Sequence, residues 1–108
     1  MEKERRRVPR FQFIAPAELV NETSGAQIVA WLSDLGVRGC SLGITDRLPE
    51  GTPLQVKIEN AKEFVEARAT VVYSRPNHAG VVFNEVKPAS VPILNRWLAT
   101  AKFPKGRL

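Results

Sequence analysis

Hydrophobic and polar positions alternate along most of the chain. In residues 11–20, FQFIAPAELV, Phe11 and Phe13 are separated by Gln12, and Ala15, Ala17 and Leu19 are separated by Pro16 and Glu18. A period of two marks a strand with one buried face. Pro16 has no backbone donor, so this strand is expected at an edge, or with that gap turned to water. Residues 26–32 and 40–44 read as two more strands, the first favoured by Ile28 and Val29. Leu54, Val56 and Ile58 alternate with Gln55, Lys57 and Glu59; Val65, Ala67, Ala69, Val71 and Tyr73 share one face of a long strand over 64–73; residues 79–83 form a last strand. Turn-rich compositions at 21–25, 33–39, 46–53, 60–63 and 75–78 separate them. Six short strands with regular turns predict a closed barrel or a sandwich, because one open sheet would expose its edges.

The end of the chain changes period. Val91, Leu94, Trp97, Leu98 and Ala101 lie on one face of a helix over 91–101, with Ser90 as its cap and Pro92 tolerated in its first turn. That face is expected to cover the barrel. Core packing is expected for both Trp31 and Trp97.

At 108 residues the chain makes one domain with one modest core. Hydrophobic residues at 44% and charged residues at 25% are ordinary for a water-soluble fold. A single cysteine, Cys40, excludes an internal disulfide and a thiolate metal cluster, which fits a reducing compartment. No apolar run reaches the roughly 18 residues of a membrane span, and no secretory signal follows the charged start. A cytoplasmic location is the expectation. The net charge of +5 sits at the ends: residues 1–10 and 102–108 each carry net +3, and the body between them carries net −1. A nucleic-acid binder spreads positive charge over a face of its body, which this chain does not do.

Catalytic chemistry finds little to work with, and no enzyme activity, cofactor or metal site is expected. The lone histidine, His78, lies in a turn composition and reads as solvated; it has no cysteine or second histidine to share a metal. Cys40 has apolar neighbours and reads as a buried structural thiol rather than a nucleophile. No phosphate loop or nucleophile elbow is present.

Two stretches carry the remaining signal. The first is Arg5-Arg6-Arg7-Val8-Pro9-Arg10. Pro9 opposes a helix, and Val8 before it is pushed to extended angles, so this is an extended basic arm. Guanidinium forks suit phosphate oxygens and the O6/N7 edge of guanine; the alternative is a solvated charged end. The second is the connection Asp34-Leu35-Gly36-Val37-Arg38-Gly39. Its glycines allow close backbone approach, and the two carboxylate oxygens of Asp34 match the N1 and N2 donors of guanine. The alternative is a turn whose aspartate caps its own backbone.

Taken together, Arg6-x-x-x-Arg10 followed by Asp34-x-Gly-x-x-Gly39 between strands resembles the PilZ domain family, whose motifs are RxxxR and [D/N]xSxxG. Pro49-Glu50-Gly51-Thr52-Pro53-Leu54, Ala79-Gly80-Val81-Val82-Phe83 and the final helix extend the resemblance over nearly the whole chain. It implies a mostly β fold: a six-stranded antiparallel β-barrel over 11–108 with a C-terminal α-helix at about 91–101, preceded by a flexible arm over 1–10. It also implies binding of cyclic di-GMP, with Arg6 and Arg10 on guanine edges and phosphates and with Asp34, Gly36 and Gly39 meeting a guanine. Arg5, immediately before the motif, goes with two mutually intercalated ligand molecules rather than one. Gly36 stands where the family has serine. A lost neutral hydrogen bond of about 0.5–1.5 kcal/mol implies weaker binding rather than none.

Two functions follow. One is a sensor whose arm orders on the ligand and alters the surface presented to a downstream protein, with no nucleic acid as partner and no membrane insertion. The other is an adaptor that has lost the ligand and works through helix 91–101 or an edge strand. Single-stranded nucleic-acid binding ranks third, because aromatics are only 7% of residues and most fall at expected core positions.

Overall fold

The computed structural model describes residues 9–101. Six strands, β1 (Arg10–Asn21), β2 (Gln27–Gly36), β3 (Gly39–Gly43), β4 (Pro53–Asn60), β5 (Glu63–Arg75) and β6 (His78–Val86), are followed by a 3-10 turn at Pro88–Ser90 and helix α1 (Val91–Thr100). The strands close into a barrel in the order β1-β2-β3-β6-β5-β4, all pairs antiparallel. Of the barrel and the sandwich left open by the strand pattern, the barrel is the one formed.

The alternation of the sequence becomes the inside and outside of this barrel. Ala15, Ala17 and Leu19 of β1, Leu54, Val56 and Ile58 of β4, and Val65, Ala67, Ala69 and Val71 of β5 are all buried. Leu48, in the connection after β3, is fully enclosed with them. Each buried Leu, Ile or Val side chain contributes about 1.5–3 kcal/mol relative to leaving it in water, and each alanine methyl about 0.8 kcal/mol. Pro16 is exposed and lies one residue before the β1–β4 ladder begins at Ala17, so its missing donor interrupts no bond to β4.

Helix α1 buries Leu94 and Trp97 in the core, and Trp97 stacks on Phe13 with centroids 5.3 Å apart. Val91, expected on the covering face, is instead exposed. Ser90 precedes the helix, but its hydroxyl makes no capping bond, because the 3-10 turn runs directly into α1. It accepts the Glu66 backbone N–H at 2.9 Å instead and ties the helix to β5. Glu63, at the start of β5, accepts from the Arg96 guanidinium at 2.6 Å and from the Trp97 indole at 3.2 Å. The apolar side of the helix is thereby largely in the core, and closure pairs every strand of the barrel with two neighbours.

The strands bring further corrections to the sequence reading. Trp31 is not a core residue: it lies on the outer face and is 55% exposed. Residues 33–36 are not a connection: they are the end of β2, and only Val37 and Arg38 lie between it and β3. Tyr73 does not share the inner face of Val71, because β5 bulges at Val72, where Val71 pairs with Val81 and Tyr73 with Gly80.

Candidate functional site

A bulge at Ser33 positions the site. Strict alternation from Leu32 would send Asp34 into the barrel. Leu32 pairs with Leu42 and Asp34 with Ser41, so β2 spends one residue more than β3 over this step. The extra residue reverses the parity: Asp34 comes out beside Ser41 and Gln12, while Leu35 returns to the core. Bulges commonly re-aim one side chain in this way.

On this outer face Arg10, the first residue of β1, pairs with Gly36, the last residue of β2. The Arg10 side chain runs over Gly36 and its Nη1 donates to Asp34 Oδ1 in a short ion pair. Asp34 is 3% exposed, whereas the Arg10 side chain keeps about a third of its surface in water. Gly36 makes this crossing possible. A Cβ there would lie 2.7 Å from the Pro9 carbonyl oxygen and 2.9 Å from Arg10 Cδ. Any side chain at position 36 therefore displaces the start of β1 from this course.

Gly39 has a different constraint. A Cβ there would stand 2.1 Å from the Val81 carbonyl oxygen, inside the β6 backbone, so close strand packing demands glycine. Cys40, next to it, is wholly buried. Burial pushes its thiol up to about 12, with Arg10 opposing and Asp34 reinforcing. That is a packed thiol in the neutral form, not a nucleophile.

The structure thus brings Arg10, Asp34 and Gly36 together. It sets Gly39 two residues before Ser41 on β3, with its space occupied by β6. Arg5 and Arg6 lie outside the described residues, as does the basic run 102–108.

Tyr73 and Arg75 of this face were not singled out from the sequence as site residues, and His78 was read only as solvated. Tyr73 lies across Gly80, whose Cβ would meet the ring at 2.1 Å, and its hydroxyl is 3.4 Å from Ser41 Oγ. His78 is not a solvated turn residue: it opens β6, half-buried, with its ring edge-on to Tyr73 at 5.4 Å. The Arg75 guanidinium lies 5.0 Å from the Tyr73 ring centre. The bulge at Val72 brought Tyr73 outward, and no composition signal marks it. Among the described residues, no cluster of His, Cys, Asp or Glu stands ready to hold a metal, and no helix is long and apolar enough to cross a membrane.

Comparison with known proteins agrees with this geometry. A family model described as the PilZ domain matches residues 4–100. Among solved structures, the PilZ domain of CeSA from a cellulose-synthesising bacterium is similar with a TM-score of 0.69 at 14% identity, over 83% of this chain and 94% of that one. The Bacillus subtilis inhibitor of motility, MotI/DgrA, is similar with a TM-score of 0.66 at 16% identity, over 89% of this chain; the match spans about half, 52%, of that protein. No curated protein sequence matches. At these identities the solved structures share the fold; the family model, which takes in both the arginine arm and the Asp34–Gly39 stretch, carries the assignment. The chain belongs to the PilZ domain family.

Proposed function

We propose that this chain is a cyclic di-GMP-binding sensor domain that changes the surface it offers to a downstream protein when the ligand binds. The observation that carries the proposal is the meeting of Arg10 and Asp34, 24 residues apart, on an outer face where the missing side chain of Gly36 lets Arg10 cross. The ligand is a dianion with two guanine rings. Arg10 offers it a charged fork for phosphate oxygens or the O6/N7 edge, and Asp34 offers acceptors for the N1 and N2 donors. Arg5 and Arg6 complete the cationic side in this reading, and Gly36 and Gly39 keep the turn close to the base.

Arg10 and Asp34 already satisfy one another, so the ligand competes with an internal ion pair. Binding exchanges that pair for two ligand contacts, and the loss of the internal pair subtracts from the affinity. With serine absent at position 36, one further hydrogen bond is missing. Both effects make this a weaker site than the family motif would build. Because Arg10 belongs to β1 and also to the arm, its release loosens the first rung of the barrel and alters the surface there.

Isothermal titration tests the proposal. Cyclic di-GMP gives saturable heat with the wild-type chain, Arg10→Ala and Asp34→Ala each weaken it at least tenfold, and a ratio of two ligands per chain accompanies intercalated binding. No heat from wild type at high micromolar concentration refutes the proposal.

The second reading, a ligand-independent adaptor, is favoured by one observation. Ile14, Val29 and Trp31 are exposed at 71%, 73% and 55% on neighbouring strands. Capture of a partner that neither the nucleotide nor Arg10→Ala alters supports it.

A further inference from the structure

Gly43 lies between two rings. It pairs with Trp31 of β2 on one side and with His78 of β6 on the other. Directly paired residues share a face of the sheet, so all three look outward, as do Asp34 and Ser41. Two inter-strand spacings, about 9.5 Å, separate the Trp31 and His78 backbones.

The floor of this gap is open. A Cβ at Gly43 would meet nothing nearer than the Trp31 carbonyl oxygen at 3.7 Å. The other glycines of this face have their space filled: Gly36 by Arg10, Gly39 by the β6 backbone and Gly80 by the Tyr73 ring. Packing therefore does not require glycine at position 43, and its consequence is a bare strip of backbone beside a largely exposed indole. The far wall is braced. His78 meets Tyr73 edge-on, Tyr73 reaches Ser41, and Arg75 sits over the Tyr73 ring. A flat heteroaromatic ring is the shape this gap accepts, and Arg75, paired with His78 on the next strand, favours an anion. Asp34 stands two rungs from Trp31, because Trp31 pairs with Gly43 and Asp34 with Ser41, about 7 Å along the sheet. A base at Asp34 and a base over Gly43 are within the span of one dinucleotide.

We propose that Trp31, over Gly43 and facing His78, forms a stacking subsite for a purine base of a cyclic dinucleotide. This rests on the reading of Arg10 and Asp34 as a nucleotide site and adds to it the residue that holds a second ring.

The test uses the full chain, with cyclic di-GMP as probe. In a Trp97→Phe background Trp31 is the one tryptophan left, and its emission is quenched as the ligand saturates. Trp31→Ala weakens binding roughly tenfold to a hundredfold, the loss expected for one stacked base, and Trp31→Phe restores most of it. Gly43→Val, which fills the gap with a strand-favouring side chain, weakens binding with an unchanged melting temperature. If Trp97→Phe fails to fold, calorimetry on the position-31 and position-43 variants carries the test. Wild-type binding that Arg10→Ala abolishes and Trp31→Ala leaves untouched overturns the subsite while the nucleotide site stands. A wild-type chain that binds no nucleotide overturns the underlying reading instead. Loss of a protein contact in Trp31→Ala with nucleotide affinity unchanged also overturns the subsite and assigns the indole to an interface.

Discussion

Gly36 and Gly39 lie three residues apart in one motif, and their backbones answer to different neighbours. At Gly36 the colliding atoms belong to Pro9 and Arg10, at the very start of β1. At Gly39 the colliding atom is a carbonyl of β6, in the middle of the closed sheet. The two alanine variants should therefore behave differently. Gly36→Ala pushes the first residues of β1 aside, costs little global stability and speeds amide hydrogen exchange at Arg10 and Phe11. Gly39→Ala separates β3 from β6 and costs more than about 3 kcal/mol, in the range of severe overpacking. Exchange rates and chemical denaturation of the pair check this; equal destabilisation by both contradicts it. The same comparison refines the meaning of the absent serine. Glycine at 36 removes a hydroxyl and also lets Arg10 reach Asp34, a consequence visible only once the two strands are laid side by side.

Among the elements, the bulges at Ser33 and Val72 decide which side chains face outward. The inside-outside alternation of 11–20, 54–59 and most of 64–73 was legible in the sequence, because each run keeps one parity throughout. Trp31 was misplaced by its aromatic character, against the alternation of Ile28, Ala30 and Leu32 that turns it outward, whereas Asp34 and Tyr73 share another reason. A bulge is defined by the register of a strand against its neighbour, and local composition does not carry that register. The helix was legible from its period, but the hydroxyl of Ser90 was not, since its partner is a strand amide remote in sequence.

The β4–β5 turn offers a stability test at this scale. Asn60 pairs with Glu63 across a two-residue loop in which Ala61 and Lys62 both have positive φ, 52° and 71°. Such turns favour Asn and Gly, and a non-glycine residue there costs about 1–3 kcal/mol. Lys62→Gly should stabilise the protein by about 1 kcal/mol after the entropic cost of glycine, raising the melting temperature by about 4–8 °C. No change, or a lower melting temperature, contradicts the strain assigned to this turn.

Over the whole molecule, closure of the barrel divides the labour. The interior is apolar, with a neutral Cys40, so polar and charged chemistry belongs to the outer wall. One stretch of that wall, from Arg10 on β1 across β2 and β3 to His78 on β6 and Arg75 on β5, gathers charge, carboxylate, hydroxyl and aromatic rings. The charge bias was legible as a property of the chain's two ends, and Arg10 is the member of the basic arm that the described residues contain. The account is tested most directly by titrating cyclic di-GMP into the isotope-labelled full chain and following its amide and indole resonances. It predicts perturbations concentrated at Arg10, Asp34, Gly36, Ser41, Gly43 and the Trp31 indole, with the β4–β5 turn at Ala61 and Lys62 unmoved. Unchanged spectra at saturating ligand, or shifts confined to β4 and β5, would contradict it.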